Sequence, residues 1–576
     1  MDSQKNENLL NLALDTPVSE RDRSLELNVG YDAEERTWEV IVKYHGSLQE
    51  LAGSRIVVEE LIAGYAILTV PESEMDILAS TEQIEYVEKP KRLFFSDVAG
   101  NTASCYAPGS RIYNNLTGRG VLVAVIDSGI SYWNRDFRRA DQTTRILYLW
   151  DQVLGREFNR EQINEALATG SRQQAEQIVP SVDTTGHGTA VAGIAAGSGG
   201  AAGAAYAGVA RESDLLIVRL GTPRADSFPR TTELMRALTY TVNKATELRM
   251  PVAINLSFGN TYGAHNGTSL LERFIDNISE IGRGVICVGS GNEGASGGHV
   301  GGSAAGNIAR VELVVGNYET ALNVQLWKEY TDSYIVTMIS PSGEYLTVDT
   351  DRPGKQTYRL GQTEILLYNG EPAPYLTAQE IYFDFLSAGN GRYIDSGVWT
   401  FVLEPVRTVT GNYTFYLPSA AVRSDSTRFV RPTPDVTLTI PSTASKVVTV
   451  GAYDPVYEAY ADFSGRGYLY QEQVNSRTAD SFVKPDLVAP GVGVLAPDRN
   501  GGYSPVTGTS FATPFVTGAA ALLMQWGIVN GNDPYLYGEK VKAYLRRGAR
   551  PIRGETEYPN SRVGFGSLCI SSSFPA

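Results

Sequence analysis

A chain of 576 residues is longer than one ordinary hydrophobic core organises, so a large domain with one or two further domains attached or inserted is expected. Hydrophobic residues at 42% and charged residues at 20% make a globular composition, with no window expected to be long and apolar enough to span a bilayer. The formal net charge of -15 argues against nucleic acid or an anionic membrane as the main partner, because both demand clustered Lys and Arg. Cys105, Cys287 and Cys569 form neither a metal-ligand spacing nor a disulfide framework, which fits a reducing compartment. The polar start lacks the basic-then-apolar pattern of a secretory signal, so a cytoplasmic or otherwise internal location is expected. His45, His187, His265 and His299 leave few candidates for imidazole chemistry.

After a polar start expected to fray, residues 37–45 and 55–71 read as β-rich, with Pro71 closing the second run. Residues 73–80 predict a short amphipathic helix and residues 84–87 a last strand, together a small α/β unit of the split βαβ type. His45 falls on the surface of a strand. Residues 98–110, rich in Gly, Ser, Asn and Pro, read as a linker.

The continuous apolar run 121–126 predicts a parallel strand covered on both faces, and Asp127 emerges at its C-terminal end, where open α/β sheets place their sites. A turn or cap role is the alternative for Asp127. Glycines flank His187 in Gly-His-Gly-Thr-Ala-Val-Ala-Gly, leaving the ring accessible and opening a small-residue helix. A strand at 215–220, a helix at 231–248 and strands at 252–256 and 284–288 continue the βαβ alternation of a mostly parallel sheet. Asn292, among glycines, is either a left-handed turn residue or a side-chain donor aimed at an oxyanion. Ser510 follows a Gly-Thr turn and precedes an apolar run, so it belongs at a helix N-terminus, as a nucleophile or as an N-cap.

Taken in order, Asp127 in Val-Ile-Asp-Ser-Gly, His187 in its glycine frame, Asn292 in Gly-Asn-Glu-Gly and Ser510 in Gly-Thr-Ser-Phe-Ala-Thr-Pro resemble the subtilisin-like serine proteases. The Lys-Pro-Asp-Leu-Val-Ala-Pro-Gly run at 484–491 adds to the resemblance. It implies a subtilisin-like α/β sheet with helices on both faces, and a serine endopeptidase. Ser510 would be the nucleophile, His187 the general base, Asp127 its orienting carboxylate and Asn292 an oxyanion donor. It further implies substrate contacts at Ser257, Phe258, Gly259 and Gly221. Residues 1–100 would be a propeptide, cut by the protease itself between about Lys91 and Cys105, and the catalytic domain would be 101–300 with 440–576.

About 140 residues, 301–439, interrupt this pattern and read as short strands at 309–315, 323–326, 333–339, 358–360, 364–368, 379–385, 397–405 and 411–417, an inserted jelly roll or β-sandwich. An insert in this place narrows the resemblance to the clostridial germination proteases called Csp, and implies a protein substrate that is the precursor of a spore-cortex lytic enzyme. No cofactor is called for, and calcium binding is left open. The alternatives are a catalytically silent regulator on a protease fold, or a binding module carried by the jelly roll.

Overall fold

The structure, a computed structural model, describes residues 4–49, 51, 55–95, 116–200, 203, 206–221, 229–389, 391–467 and 483–575. The linker expected at 98–110, with Cys105, lies outside the described residues. Two compact units emerge: residues 93–259, 271–295 and 435–576 form one, and residues 1–92, 260–270 and 296–434 the other.

The first of these is built on a sheet whose order runs Ala459–Tyr460, Val448–Asp454, Gly284–Gly289, Val252–Leu256, Leu122–Asp127, Asp214–Arg219, Ile146–Asp151 and Arg156–Asn159, with Leu487–Pro490 also beside Val448–Asp454. Neighbours pair in parallel except at the two short ends, where Ala459–Tyr460 and Arg156–Asn159 are antiparallel. Leu122–Asp127 sits at the centre and is buried at every position, as its unbroken apolar run requires. Val121, Val123 and Val125 share a core with Ala190, Val191, Ala512, Val516 and Ala519 from the helices His187–Ala196 and Thr509–Met524. The alternate residues Leu122, Ala124 and Ile126 are equally buried and point to the other face, where the helix Thr231–Glu247 packs.

The expectation that no window is long and apolar enough to span a membrane needs correction. The helical stretch Thr509–Val529 passes that test with a mean hydropathy of 1.3, but 83% of the window is buried inside the protein. Its apolarity serves the core. A Cβ at Gly518 would stand 2.7 Å from the Ala195 carbonyl oxygen, so the glycine lets this helix and His187–Ala196 approach closely.

In the second unit the N-terminal residues form an antiparallel sheet in the order Tyr31–Asp32, Thr37–Tyr44, Tyr65–Pro71, Val57–Glu60, with Ile84–Glu88 also on Thr37–Tyr44. The helix Met75–Ser80 matches the predicted one. The expected frayed start is instead a helix, Asn8–Asp15, which buries Leu9, Leu10 and Leu12. Residues 299–429 make two antiparallel sheets. One has the order His299–Ser303, Asn412–Tyr416, Ala321–Glu329, Ala378–Ser387, Thr363–Asn369, Gly354–Leu360. The other runs Tyr345–Asp349, Ser333–Ile339, Gly397–Arg407, Ala309–Val315, Arg428–Phe429. Leu322, Val324, Phe383, Trp399, Phe401 and Phe415 fill the sandwich between them.

The sandwich sheet is covered on its other side too. Ala321, Leu366, Tyr368, Tyr382 and Leu386 join Leu9, Leu12, Trp38, Val40 and Leu68 of the N-terminal segment in one core. Polar links border it: Arg23 pairs with Glu364 at 2.7 Å, Ser24 donates to Asp384, and Tyr375 donates to Glu85 at 3.0 Å.

Candidate active site

Asp127 ends its strand fully buried, and His187 opens its helix; Asp127 Oδ1 and His187 Nδ1 stand 2.6 Å apart. Such a contact fixes the ring by its Nδ1 and leaves Nε2 as the working nitrogen. The approach depends on Gly188, where a Cβ would come within 2.2 Å of the Gly129 carbonyl oxygen and 3.1 Å of Asp127 Oδ1. Asp127 Oδ1 also accepts from the Ser128 N–H at 2.7 Å.

Ser510 is the second residue of the helix Thr509–Met524, and Gly508 takes the N-cap position with φ +145°, so Ser510 is not the cap. Its backbone N–H lies among the first-turn groups that the helix ladder does not use, at the positive end of the helix. Its hydroxyl donates to the Ser257 carbonyl at 2.9 Å. Phe511 packs beside the His187 ring, with 5.2 Å between centroids. Asn292 Oδ1 accepts from the N–H and the hydroxyl of Thr509, both at 3.1 Å. These bonds turn the buried Nδ2 donor the other way, and among the described residues it has no hydrogen-bond partner.

The residues expected to contact substrate divide in two. Phe258–Gly259 pairs antiparallel with Phe94–Phe95, Phe258 opposite Phe95 and Gly259 opposite Phe94. This edge already holds an extended segment of the chain, as β-augmentation requires. Ser257 is 1% exposed, and its hydroxyl donates to the Ser510 carbonyl. Gly221, with φ +152°, donates its N–H to Gln152 Oε1 at 3.3 Å, and residues 222–228 after it lie outside the described residues. The other histidines belong to the other unit. His45 is exposed and 3.6 Å from Glu85, while His265 and His299 stack on Tyr416.

Residues 118–363 and 386–566 match the family described as the subtilase family. The chain belongs to the subtilases. Residues 4–91 match the Csp protease B prodomain. Among solved structures, the CspB protease of Clostridium perfringens is similar with a TM-score of 0.74 and 35% identity, covering 80% of this chain and 94% of that one. The minor extracellular protease Vpr of Bacillus subtilis (strain 168) is 25% identical over 486 residues, 80% of this chain and 52% of Vpr. The PII-type proteinase of Lactococcus lactis subsp. cremoris is 24% identical over 492 residues, 79% of this chain and 25% of that protein. The chain thus spans about half and about a quarter of the length of these two curated relatives.

In this subtilase the histidine loop rests on a residue to which sequence reasoning gave no role. Asp183 accepts from the Ser128 hydroxyl at 2.9 Å, the Gly186 N–H at 2.8 Å, and the Thr189 N–H and hydroxyl at 2.9 and 2.6 Å. Ser128 in turn accepts from the Gly188 N–H at 2.9 Å. An acceptor just before a helix start satisfies first-turn N–H groups, so the Asp-Thr-Thr-Gly-His spacing was the available signal. Cys287 is buried as a small hydrophobe, and burial pushes its thiol up to about 12, well away from nucleophilic use.

Proposed function

We propose that this subtilase is an endopeptidase in which Ser510 attacks the scissile carbonyl, His187 takes and returns the proton, and Asp127 holds the ring and stabilises its charged form. The observation that carries the reading is the buried 2.6 Å contact between Asp127 Oδ1 and His187 Nδ1, with Phe511, the residue after Ser510, packed beside the same ring. Asn292 Nδ2 and the Ser510 N–H are the oxyanion donors. The antiparallel pairing of Phe94–Phe95 on Phe258–Gly259 supports self-processing, with the cut within the few residues that follow Phe95. Residues 1–100 then act as propeptide and folding aid, which suits a parallel sheet of distant pairings. The catalytic domain is 101–300 with 440–576, and 301–439 is an inserted jelly roll with a scaffolding role.

From the resemblance to the Csp proteases we further propose a place in germination, with a spore-cortex hydrolase precursor as substrate and a cytoplasmic or spore-associated location. A second reading, a silent regulator on a protease fold, has one observation in its favour: the Ser510 hydroxyl is bonded to the Ser257 carbonyl. Intact mass separates the two readings. The protease reading expects the wild-type chain to lose about 100 residues and the Ser510→Ala variant to keep them, the span following from the strand at Phe94–Phe95. Full mass in both proteins would favour the regulator.

A further inference from the structure

We infer that Thr517, Asn255 and Ser257 form a buried relay that positions the nucleophile; the inference rests on the assignment of Ser510 as that residue. It starts from Pro514, which lies inside the helix Thr509–Met524. A proline has no N–H, and at this place the missing donor is the one that would bond the carbonyl four residues back, that of Ser510. The helix therefore leaves the Ser510 carbonyl to a partner from outside. Ser257 supplies it, donating its hydroxyl at 2.9 Å.

The Ser257 oxygen is itself held. Asn255 Nδ2 donates to it at 2.8 Å, and Asn255 Oδ1 accepts from the Thr517 hydroxyl at 2.9 Å. The single Thr517 proton has a longer alternative at the Thr513 carbonyl, 3.2 Å away. Asn255, Thr517 and Ser510 are fully buried and Ser257 is 1% exposed. Polar side chains in an otherwise apolar strand and helix cost stability unless all are satisfied, and this series satisfies them in one direction. It ties the strand Val252–Leu256 to the third turn of the helix Thr509–Met524 through Asn255 and Thr517, and Ser257, just after the strand, to its first turn. His187 is anchored separately through Asp127, so the relay sets where the Ser510 oxygen stands relative to the imidazole. Neither Asn255 nor Thr517 touches substrate; they are positioning residues.

The substitution that tests this is Thr517→Val, which keeps the shape and removes the hydroxyl, read by the self-cleavage rate of the full-length chain across pH. Displacement of a reacting atom by a fraction of an ångström predicts a rate about tenfold lower, with the pH midpoint unchanged because His187 is untouched. Thr517→Ser should restore the rate to within about twofold and keep the donor to Asn255 Oδ1, whereas the valine variant should also lose some thermal stability because that buried acceptor is left unsatisfied, so the rates are compared at a temperature where every variant is folded. Ser257→Ala, which removes the last hydroxyl but keeps the carbonyl, should slow cleavage in the same way and serves if the valine variant misfolds. Wild-type speed in Thr517→Val or Ser257→Ala, or no rescue by Thr517→Ser, overturns the relay alone. A folded wild-type chain that never cleaves removes the nucleophile assignment and the relay with it.

Discussion

Asn292 offers the sharpest separation of chemistry from folding, because its two side-chain atoms do different things. Oδ1 accepts two bonds from Thr509, at 3.1 Å each, while Nδ2 is buried and has no hydrogen-bond partner among the described residues. Asn292→Ala deletes both functions. Loss of one oxyanion donor costs about 10²–10³ in rate, or about 3–4 kcal/mol of transition-state stabilisation. Loss of the two bonds to Thr509 removes about 1 kcal/mol each from the folded state. Asn292→Asp separates the two effects. It keeps an acceptor for Thr509, so stability should fall less than in the alanine variant, yet it puts a carboxylate oxygen where the donor stood, so the rate should fall at least as far. The assay is the first-order rate of conversion of full-length chain to mature form, followed by intact mass, beside urea unfolding of each Ser510→Ala double variant to keep the chains intact. Self-cleavage of Asn292→Ala within about threefold of wild type would refute the oxyanion assignment.

Two other expectations follow from close packing and from burial of charge. Gly188→Ala places a methyl 2.2 Å from the Gly129 carbonyl oxygen, so it should push the His187 helix off Asp127, and self-cleavage measured by intact mass should fall by more than about a hundredfold; a rate within about threefold of wild type would contradict it. Glu380 lines a cavity of about 60 Å³ with Glu7, Glu88, Lys91, Tyr86 and Tyr382. Burial, reinforced by Glu7 and Glu88 and opposed by Lys91, pushes its carboxyl from 4.5 up to about 8. The folded chain therefore keeps a proton that the unfolded chain releases, so Glu380 lowers stability progressively as pH rises from about 4.5 to about 8 and no further above that. Urea midpoints between about pH 5 and 9 should show that decline in the wild-type chain and a shallower one in Glu380→Gln; parallel curves would contradict it.

The elements that carry Asp127, His187 and Ser510 were legible because their signals are local. The apolar run before Asp127, the glycines around His187 and the Gly-Thr-Ser turn each declare an element end within a few residues. The insert's strands were legible by their alternation, although Tyr345–Asp349, Arg428–Phe429 and His299–Ser303 were missed. His299–Ser303 carries two glycines and reads as a turn, and it becomes a strand only by pairing with Asn412–Tyr416. The helix Asn8–Asp15 was missed because its leucines sit among Asn and Glu residues, and its partners Leu366 and Tyr368 lie far along the chain. Ser257 was read for its backbone alone. Its side-chain role depends on a carbonyl released by Pro514, on another element, and no short window holds both residues.

The shared core between the N-terminal segment and the sandwich sheet bears on what activation means for such a protein. If the chain is cut after Phe95, one covalent link disappears, but Leu9, Leu12 and Trp38 remain packed with Leu366, Tyr368 and Tyr382. The former domain interior becomes an interface between two polypeptides, and separating them exposes all of that apolar surface to water at once. Hydrolysis would then set when the enzyme becomes a complex, while the lifetime of that complex would set when it becomes free. Regulation could act on the second clock without touching the first.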